Sequence, residues 1–368
     1  MKIAYCIRRD YEIRGGGDAV QMLMTKKYLE KYYSDTEIVI VTDKKELNKS
    51  FDLCHIFNYS TFDETNNYFL KARELDIKIA SSPIYWDYSI TAYQYFSKLK
   101  LFNVNRKILN IEIYILKFLQ IFFPIFMLTS NKFRNYCEFF LENSDIVLPN
   151  SAEEYELLLK FVNRANFNKS THSVIYNATE INEIMDSSNF LNKYNLPENY
   201  LLQVGRIEPI KNQLSVLKSL KDNKDIPIVF LGKVFDDNYF KKLKKLSLKR
   251  GNVFFIQEVP YKDVFEFYKN ARTHILPSLR ESPGLVSLEA YSQGCNIICA
   301  QFPYSPYLTY FKDIAISIDP LNLDSIKSAV LHSFSIGKSE SNFDILKKFS
   351  WDNTARDTYE AYKKIIFK

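Results

Sequence analysis

Tyr200-Leu201-Leu202-Gln203-Val204-Gly205-Arg206 reads as a short apolar strand that stops at a glycine and meets a cation, with a helix beginning near Asn212. The same grammar opens the chain. Lys2–Ile7 is a buried strand stopped by Arg8-Arg9-Asp10, and Gly15-Gly16-Gly17 then leads into a helical segment from about Asp18 to Tyr33. Glu37–Thr42, Phe51–Phe57 and Ile77–Ser81 follow as strands, and Asp145–Leu148 and Val174–Tyr176 extend the sheet. Beyond Arg206 the strands are Ile226–Leu231, which ends in Gly232, then Val253–Ile256, Thr273–Leu276 and Asn296–Ala300. Alternation of this kind implies βαβ units and a parallel sheet. The fold class is therefore α/β, with two successive doubly wound domains and a linker around 179–196. Ligands of such sheets bind at the carboxyl ends of strands, where the Gly15, Gly205, Gly232 and Gly284 loops lie.

Composition agrees with that organisation. A chain of 368 residues, 46% hydrophobic and 25% charged, suits two globular domains and excludes a disordered chain. Glycine is scarce, at 9 residues where average usage predicts roughly 7%, so each one marks a turn or a close approach. Lys and Arg exceed Asp and Glu by 49 to 43, a net charge of +6 that suits anionic ligands or an anionic membrane surface and is too weak to indicate nucleic acid. The 5 cysteines, among them Cys6, Cys54 and Cys299, are scattered through apolar contexts and read as reduced core thiols of a cytosolic protein. The 4 histidines form no metal-binding cluster. His55, alone in an apolar run, reads as a satisfied core residue. No secretory signal is evident in the short run Ile3–Ile7. The apolar region Ile111–Leu128 is interrupted by Glu112, Lys117, Gln120 and Pro124, so it fails as a clean membrane span. A pair of buried helices and a lipid- or acceptor-facing surface both stay open for it.

The chemistry concentrates in the second half. Arg280-Glu281-Ser282-Pro283-Gly284-Leu285-Val286-Ser287-Leu288-Glu289-Ala290 follows a strand and sets two carboxylates eight positions apart across a glycine turn and a helix start. The N–H groups of Gly284, Leu285 and Val286 at such a start form a phosphate site. Arg206 and Lys211, at the end of an earlier strand, are cations able to neutralise a diphosphate leaving group. No D-x-D occurs, so a carboxylate-held Mg²⁺ is not indicated. The run Lys241, Lys242, Lys244, Lys245, Lys249, Arg250 reads as a solvated helix face, because Phe240, Leu243 and Leu246 keep an apolar spacing behind it.

Taken together these residues resemble the retaining nucleotide-sugar glycosyltransferases of the GT-B fold, glycosyltransferase family four (glycosyl transferases group 1). The motif E-[GS]-[FP]-G-[LFM]-x-x-x-E is matched from Glu281 to Glu289, and V-G-R-x-x-x-x-K from Val204 to Lys211. The glycine-rich loop Gly15–Gly17, the ending Val174-Ile175-Tyr176-Asn177 and the closing Phe349-Ser350-Trp351 are further likenesses. The resemblance implies two Rossmann-like domains, 1–178 for the acceptor and 179–350 for the nucleotide sugar, with a cleft between them and a closing helix in 351–368 that packs back on the first.

It also implies the roles. Glu281, Arg206 and Lys211 form the catalytic group, with Glu281 on the donor sugar and the two cations on the diphosphate. Glu289 holds the ribose hydroxyls; Gly15, Gly16, Gly17, Gly205, Ser282, Pro283, Gly284, Leu285 and Val286 surround the phosphates; and Gln257, Glu258 and Val259 border the base. Two departures stand out. Gln257 occupies a position where the family often has glycine, and no histidine follows the fourth strand, where Tyr85 or Asp87 would have to meet the sugar instead. The expected activity is transfer of a sugar from a nucleotide-diphosphate sugar, with retention and without metal or other cofactor. The expected acceptor is a glycan or lipid-linked glycan of a bacterial surface polysaccharide. The expected location is the cytoplasm, extending to the inner membrane face. A non-catalytic partner subunit and a sugar-nucleotide epimerase of the same fold are the alternatives.

Overall fold

The computed structural model describes residues 1–14, 16–89, 128–162, 171–180, 190–341 and 343–367. Gly15 and, except for Leu128, the apolar region Ile111–Leu128 lie outside them. The chain divides into two compact units, Met1–Ala178 with Phe349–Lys368, and Thr179–Lys348.

The first unit is built on six parallel strands: β1 (Lys2–Cys6), β2 (Glu37–Val41), β3 (Leu53–Phe57), β4 (Lys78–Ser82), β5 (Ile146–Val147) and β6 (Thr171–His172), in the order β2-β1-β3-β4-β5-β6. Strand order reverses between β1 and β3, which makes that pair the topological switch point. Strands buried on both faces need uninterrupted apolar runs, and Leu53–Phe57 is buried throughout. The expected strand Val174–Tyr176 is replaced by Thr171–His172. Pro149 ends the β5 ladder: its carbonyl accepts from Ile175 N, but it has no N–H to return.

The terminal helix Trp351–Ile366 packs into the core of this unit through Ala355, Ala361, Tyr362 and Ile365, beside Met22 and Leu29 of the helix Gly17–Tyr32. Tyr362 fastens it through its hydroxyl, which shares hydrogen bonds with Tyr5 Oη (2.8 Å) and His55 Nδ1 (2.6 Å), donating one and accepting the other. His55 Nε2 reaches Ser82 Oγ at 2.9 Å. This histidine is fully enclosed, and burial lowers its pKa to about 3.

The second unit repeats the plan with β7 (Tyr200–Val204), β8 (Ile228–Leu231), β9 (Val253–Ile256), β10 (Ala271–Leu276), β11 (Asn296–Ala300) and β12 (Ala315–Ile318), ordered β12-β11-β10-β7-β8-β9 and all parallel. This is the dinucleotide-fold order, with its switch point between β7 and β10. β12, half-exposed and flanked by Asp313 and Asp319, was not expected from the sequence.

Arg250 departs from the solvated face assigned to it. It closes the helix Asp237–Arg250 from the buried side, with Leu243 and Ser247. Its guanidinium donates to the carbonyls of Leu220 (2.9 Å), Asn223 (2.6 Å) and Ile226 (2.7 Å). Positions 243, 247 and 250 follow the i, i+4, i+7 spacing of one helix face. Lys241, Lys242, Lys244, Lys245 and Lys249 are exposed. Among the described residues no helix is long and apolar enough to cross a membrane.

Candidate functional site

In the second unit, two loops meet at the switch point because their strands are neighbours. β7 hands the chain to Gly205-Arg206, and β10 hands it to Pro277-Ser278-Leu279-Arg280-Glu281. Leu279 N donates to Ile210 O at 2.9 Å, and Asn212 Nδ2 donates to Pro277 O at 3.2 Å and to Pro320 O at 2.8 Å. Glu281 N is held by Tyr304 O at 2.9 Å. These ties bring Lys211 Nζ to 2.7 and 3.1 Å from the two carboxylate oxygens of Glu281. The pair is mostly enclosed, with the two side chains 16% and 13% exposed.

Arg206 points elsewhere. Its Nη2 stands 2.9 Å from Glu208 Oε1 and its guanidinium carbon lies 4.6 Å from the centre of the Phe235 ring. Phe235 is 62% exposed, and sequence reading did not single it out. It is placed by backbone pairing of the loops after β7 and β8: Ile207 N donates to Lys233 O at 2.9 Å and Phe235 N to Ile207 O at 3.1 Å. Gly232 makes that pairing feasible, since a Cβ there would fall 2.2 Å from Gly205 O. Over the ring the Arg206 guanidinium stays about half exposed, so its charge remains open to solvent.

Glu289 lies in the helix Val286–Ser292 and is buried. Tyr261 Oη donates to its Oε1 at 2.9 Å and Tyr268 Oη to its Oε2 at 3.0 Å. Thr179 also hydrogen-bonds it. Burial raises the carboxyl pKa, and the three hydroxyls oppose that rise. Tyr261 and Tyr268 lie on one face of the helix Tyr261–Asn270, two turns apart. That i, i+7 spacing was the sequence signal for them, and it was missed.

The turn before Glu289 carries a cis Ser282–Pro283 peptide and Gly284 at φ 88°. A Cβ at Gly284 would sit 2.6 Å from Leu276 and 2.7 Å from Glu281 Cγ, so only glycine lets the loop fold back on its own acid. Leu285 and Val286 are half-buried, and N–H groups of a first helical turn have no intrahelical acceptor. Lys211 side-chain carbons lie over Gly205, the nearest 3.6 Å from where a Cβ would stand. Gln257 and Glu258 are exposed and Val259 half-buried in the loop after β9.

The remaining sequence-named residues belong to the first unit. Gly16 caps the helix Gly17–Tyr32 at φ 131°. Asp18, in its first turn, accepts from Arg8 Nε (2.8 Å), Arg8 Nη2 (3.2 Å) and Asn58 Nδ2 (3.0 Å), and Arg8 Nη1 donates to Asp10 Oδ1 at 2.7 Å. Burial works to raise the Asp18 pKa, but the Arg8 guanidinium and the Asn58 amide hold it below the ordinary value. This network spans the β1/β3 switch point. Arg8 was read from sequence only as part of a charged stop.

Tyr85 is 3% exposed, its ring 5.5 Å from Phe161 and 6.4 Å from Phe133, so it is a core side chain rather than a surface contact. Asp87 is half-buried and accepts from Ser89 N at 2.8 Å. Behind this loop the buried Glu154 accepts from Tyr85 N (2.9 Å), Asn150 N (2.7 Å) and Ile84 N. Burial pushes its carboxyl up to about 7.

Comparison with known proteins places these observations. Residues 186–343 match the family described as glycosyl transferases group 1. Over 188 residues the chain is 29% identical to the O-antigen chain mannosyltransferase B of Escherichia coli, an alignment covering 47% of this chain and 48% of that protein. Over 193 residues it is 27% identical to the O-antigen chain mannosyltransferase RfbU of Salmonella typhimurium, covering 51% and 52%. The chain thus spans about half the length of these relatives. In fold it is similar to sucrose-phosphate synthase from Thermosynechococcus elongatus, with a TM-score of 0.73, 13% identity and coverage of 100% and 99%. It is also similar to Anabaena Alr3699/HepE in complex with UDP and glucose, with a TM-score of 0.66, 12% identity and coverage of 99% and 100%.

Proposed function

We propose that this chain, a group 1 glycosyltransferase by the match over residues 186–343, moves a sugar from a nucleotide-diphosphate sugar to a glycan or lipid-linked glycan during assembly of a bacterial surface polysaccharide. The observation that carries the reading is the Lys211–Glu281 pair, 2.7 Å apart at the switch point of the second sheet. Relatives named as O-antigen mannosyltransferases support the polysaccharide setting. A neighbour of the same fold that holds UDP and glucose supports the donor class.

In this scheme Lys211 and Arg206 take up charge as the diphosphate departs. Glu281 orients Lys211 in the empty site and hydrogen-bonds the donor sugar in the filled one. The first-turn N–H groups around Gly284–Val286 meet a phosphate, and Glu289 accepts from the ribose. Departure and attack take place on the same face of the sugar, which retains the anomeric configuration. The fixed cations do the work of a bridging metal ion, so none is required.

A panel of nucleotide sugars scored by protection against thermal unfolding tests the donor assignment, since a true donor stabilises the native state by mass action. Lys211→Ala and Glu281→Ala should each cut transfer by about a hundredfold or more. Near-normal turnover in either variant, or no stabilising nucleotide sugar, refutes the scheme.

A further inference from the structure

Glu289 is enclosed, 7% exposed, and three hydroxyls already converge on its carboxylate, from Tyr261, Tyr268 and Thr179. An ionised carboxylate offers about four acceptor sites in all. A vicinal diol brings two donors. It cannot be seated until one hydroxyl leaves.

The three hydroxyls are unequal. Tyr268 is fully buried; Thr179 is nearly so, and the other acceptor that its Oγ1 reaches, Glu180 O, stands at 3.4 Å, too far for a strong bond. Tyr261 is 54% exposed and opens the helix Tyr261–Asn270, directly after the loop Gln257–Pro260. Its ring rests 5.5 Å from Phe265, so the hydroxyl can leave Glu289 while the ring keeps its support. Because Glu289 itself is buried, the exposed side on which Tyr261 lies is the approach to it.

We propose that Tyr261 is a latch on Glu289: its hydroxyl closes the carboxylate in the empty site and gives way to the ribose diol of the nucleotide. This deepens the reading of Glu289 as the ribose ligand and rests on it. Two consequences follow from counting acceptors. A 2′-deoxynucleotide brings a single hydroxyl and fits beside Tyr261 without displacing it. A ribonucleotide gains a second hydrogen bond but ends the Tyr261 bond, so the wild-type protein separates ribose from 2′-deoxyribose by no more than about twofold. Removing the Tyr261 hydroxyl frees that acceptor, and the second ribose bond then counts in full.

The test is calorimetric titration of UDP, GDP and ADP and their 2′-deoxy counterparts into wild type, Tyr261→Phe and Glu289→Gln. For the nucleotide that binds, Tyr261→Phe should bind the ribo form about three- to tenfold more tightly with the deoxy form unchanged, so that discrimination appears. A purely structural tyrosine would instead weaken both forms alike. Tyr261→Phe with an unchanged ribo-to-deoxy ratio overturns the latch. If Glu289→Gln nonetheless weakens ribonucleotide binding, the ribose site itself stands. Wild-type affinity in Glu289→Gln, or no binding of any of the three to wild type, overturns latch and ribose site together.

Discussion

Replacing Glu154 by glutamine should expose an acid instability of the first unit that the wild-type protein masks. The carboxyl is fully buried, and burial raises it from an ordinary 4.5 to about 7 against the three backbone N–H groups that it accepts from. A native group that holds its proton more tightly than the unfolded chain does contributes stability below pH 4.5, and that contribution is lost as pH rises through about 7. Over that window it amounts to about 3 kcal/mol. His55 works in the opposite direction. Burial keeps it neutral and lowers its pKa from 6.5 to about 3, so its contribution is present above 6.5 and falls by about 1.4 kcal/mol per pH unit below that. Between pH 4.5 and 6.5 the two changes nearly cancel.

Glutamine does not titrate, so Glu154→Gln should lose about 3 kcal/mol between pH 6.5 and 4.5, while wild type stays nearly level. The misfit of the amide against three N–H donors adds an offset that is the same at every pH. Both tryptophans of the chain, Trp86 and Trp351, are buried in the first unit. Urea unfolding followed by tryptophan fluorescence therefore reads this unit by itself. Parallel pH profiles for the two proteins would refute the reasoning.

Arg250→Ala should destabilise the second unit by about 3 kcal/mol, because five backbone carbonyls lose a charged donor; hydrogen exchange over 213–231 reads it, and a loss under about 0.5 kcal/mol contradicts the assigned role. Arg250→Lys should recover only part of the stability, since an ammonium cannot span the carbonyls of Leu220, Asn223 and Ile226. Gly232→Ala places a methyl group 2.2 Å from Gly205 O and should cost about 3 kcal/mol or more; an unchanged melting temperature would show that the two loops separate freely. Exhaustive dialysis against EDTA should leave the transfer rate unchanged, and loss of activity restored by Mg²⁺ or Mn²⁺ would contradict metal-independent transfer.

The strands were legible because a parallel sheet covered on both faces leaves no room for alternation: Leu53–Phe57, Tyr200–Val204 and Asn296–Ala300 announce themselves as apolar runs. Two of the four edge strands were not, since β6 is a two-residue strand with both residues exposed and β12 is only partly buried. Glu281, Lys211 and Glu289 could be named from spacing within two local motifs. What spacing could not give is which partner each side chain chooses. The adjacency of β7 and β10 brings Lys211 to Glu281 across 70 positions, whereas the pairing of the loops after β7 and β8 sets Arg206 beside Phe235. Tyr85 was misjudged for a related reason. A tyrosine after a strand end can face outward or inward, and the rings of Phe133 and Phe161 settle it only in three dimensions.

The two switch points follow one topological rule and place their charges differently. At the β1/β3 point, Arg8 is shared between Asp10 and Asp18. Asp18 already occupies the end of the helix whose glycine loop resembles a phosphate loop. A diphosphate brought there meets a carboxylate. At the β7/β10 point, each acid is matched by a cation: Glu208 by Arg206 and Glu281 by Lys211. Arg206 is 53% exposed on its Phe235 support. An anion entering here shares cations that the acids already hold in place, and it displaces no carboxylate. This favours the second unit's switch point for the diphosphate of the proposed donor. At the β1/β3 point the Arg8–Asp18–Asn58 network fixes the entry to the helix Gly17–Tyr32.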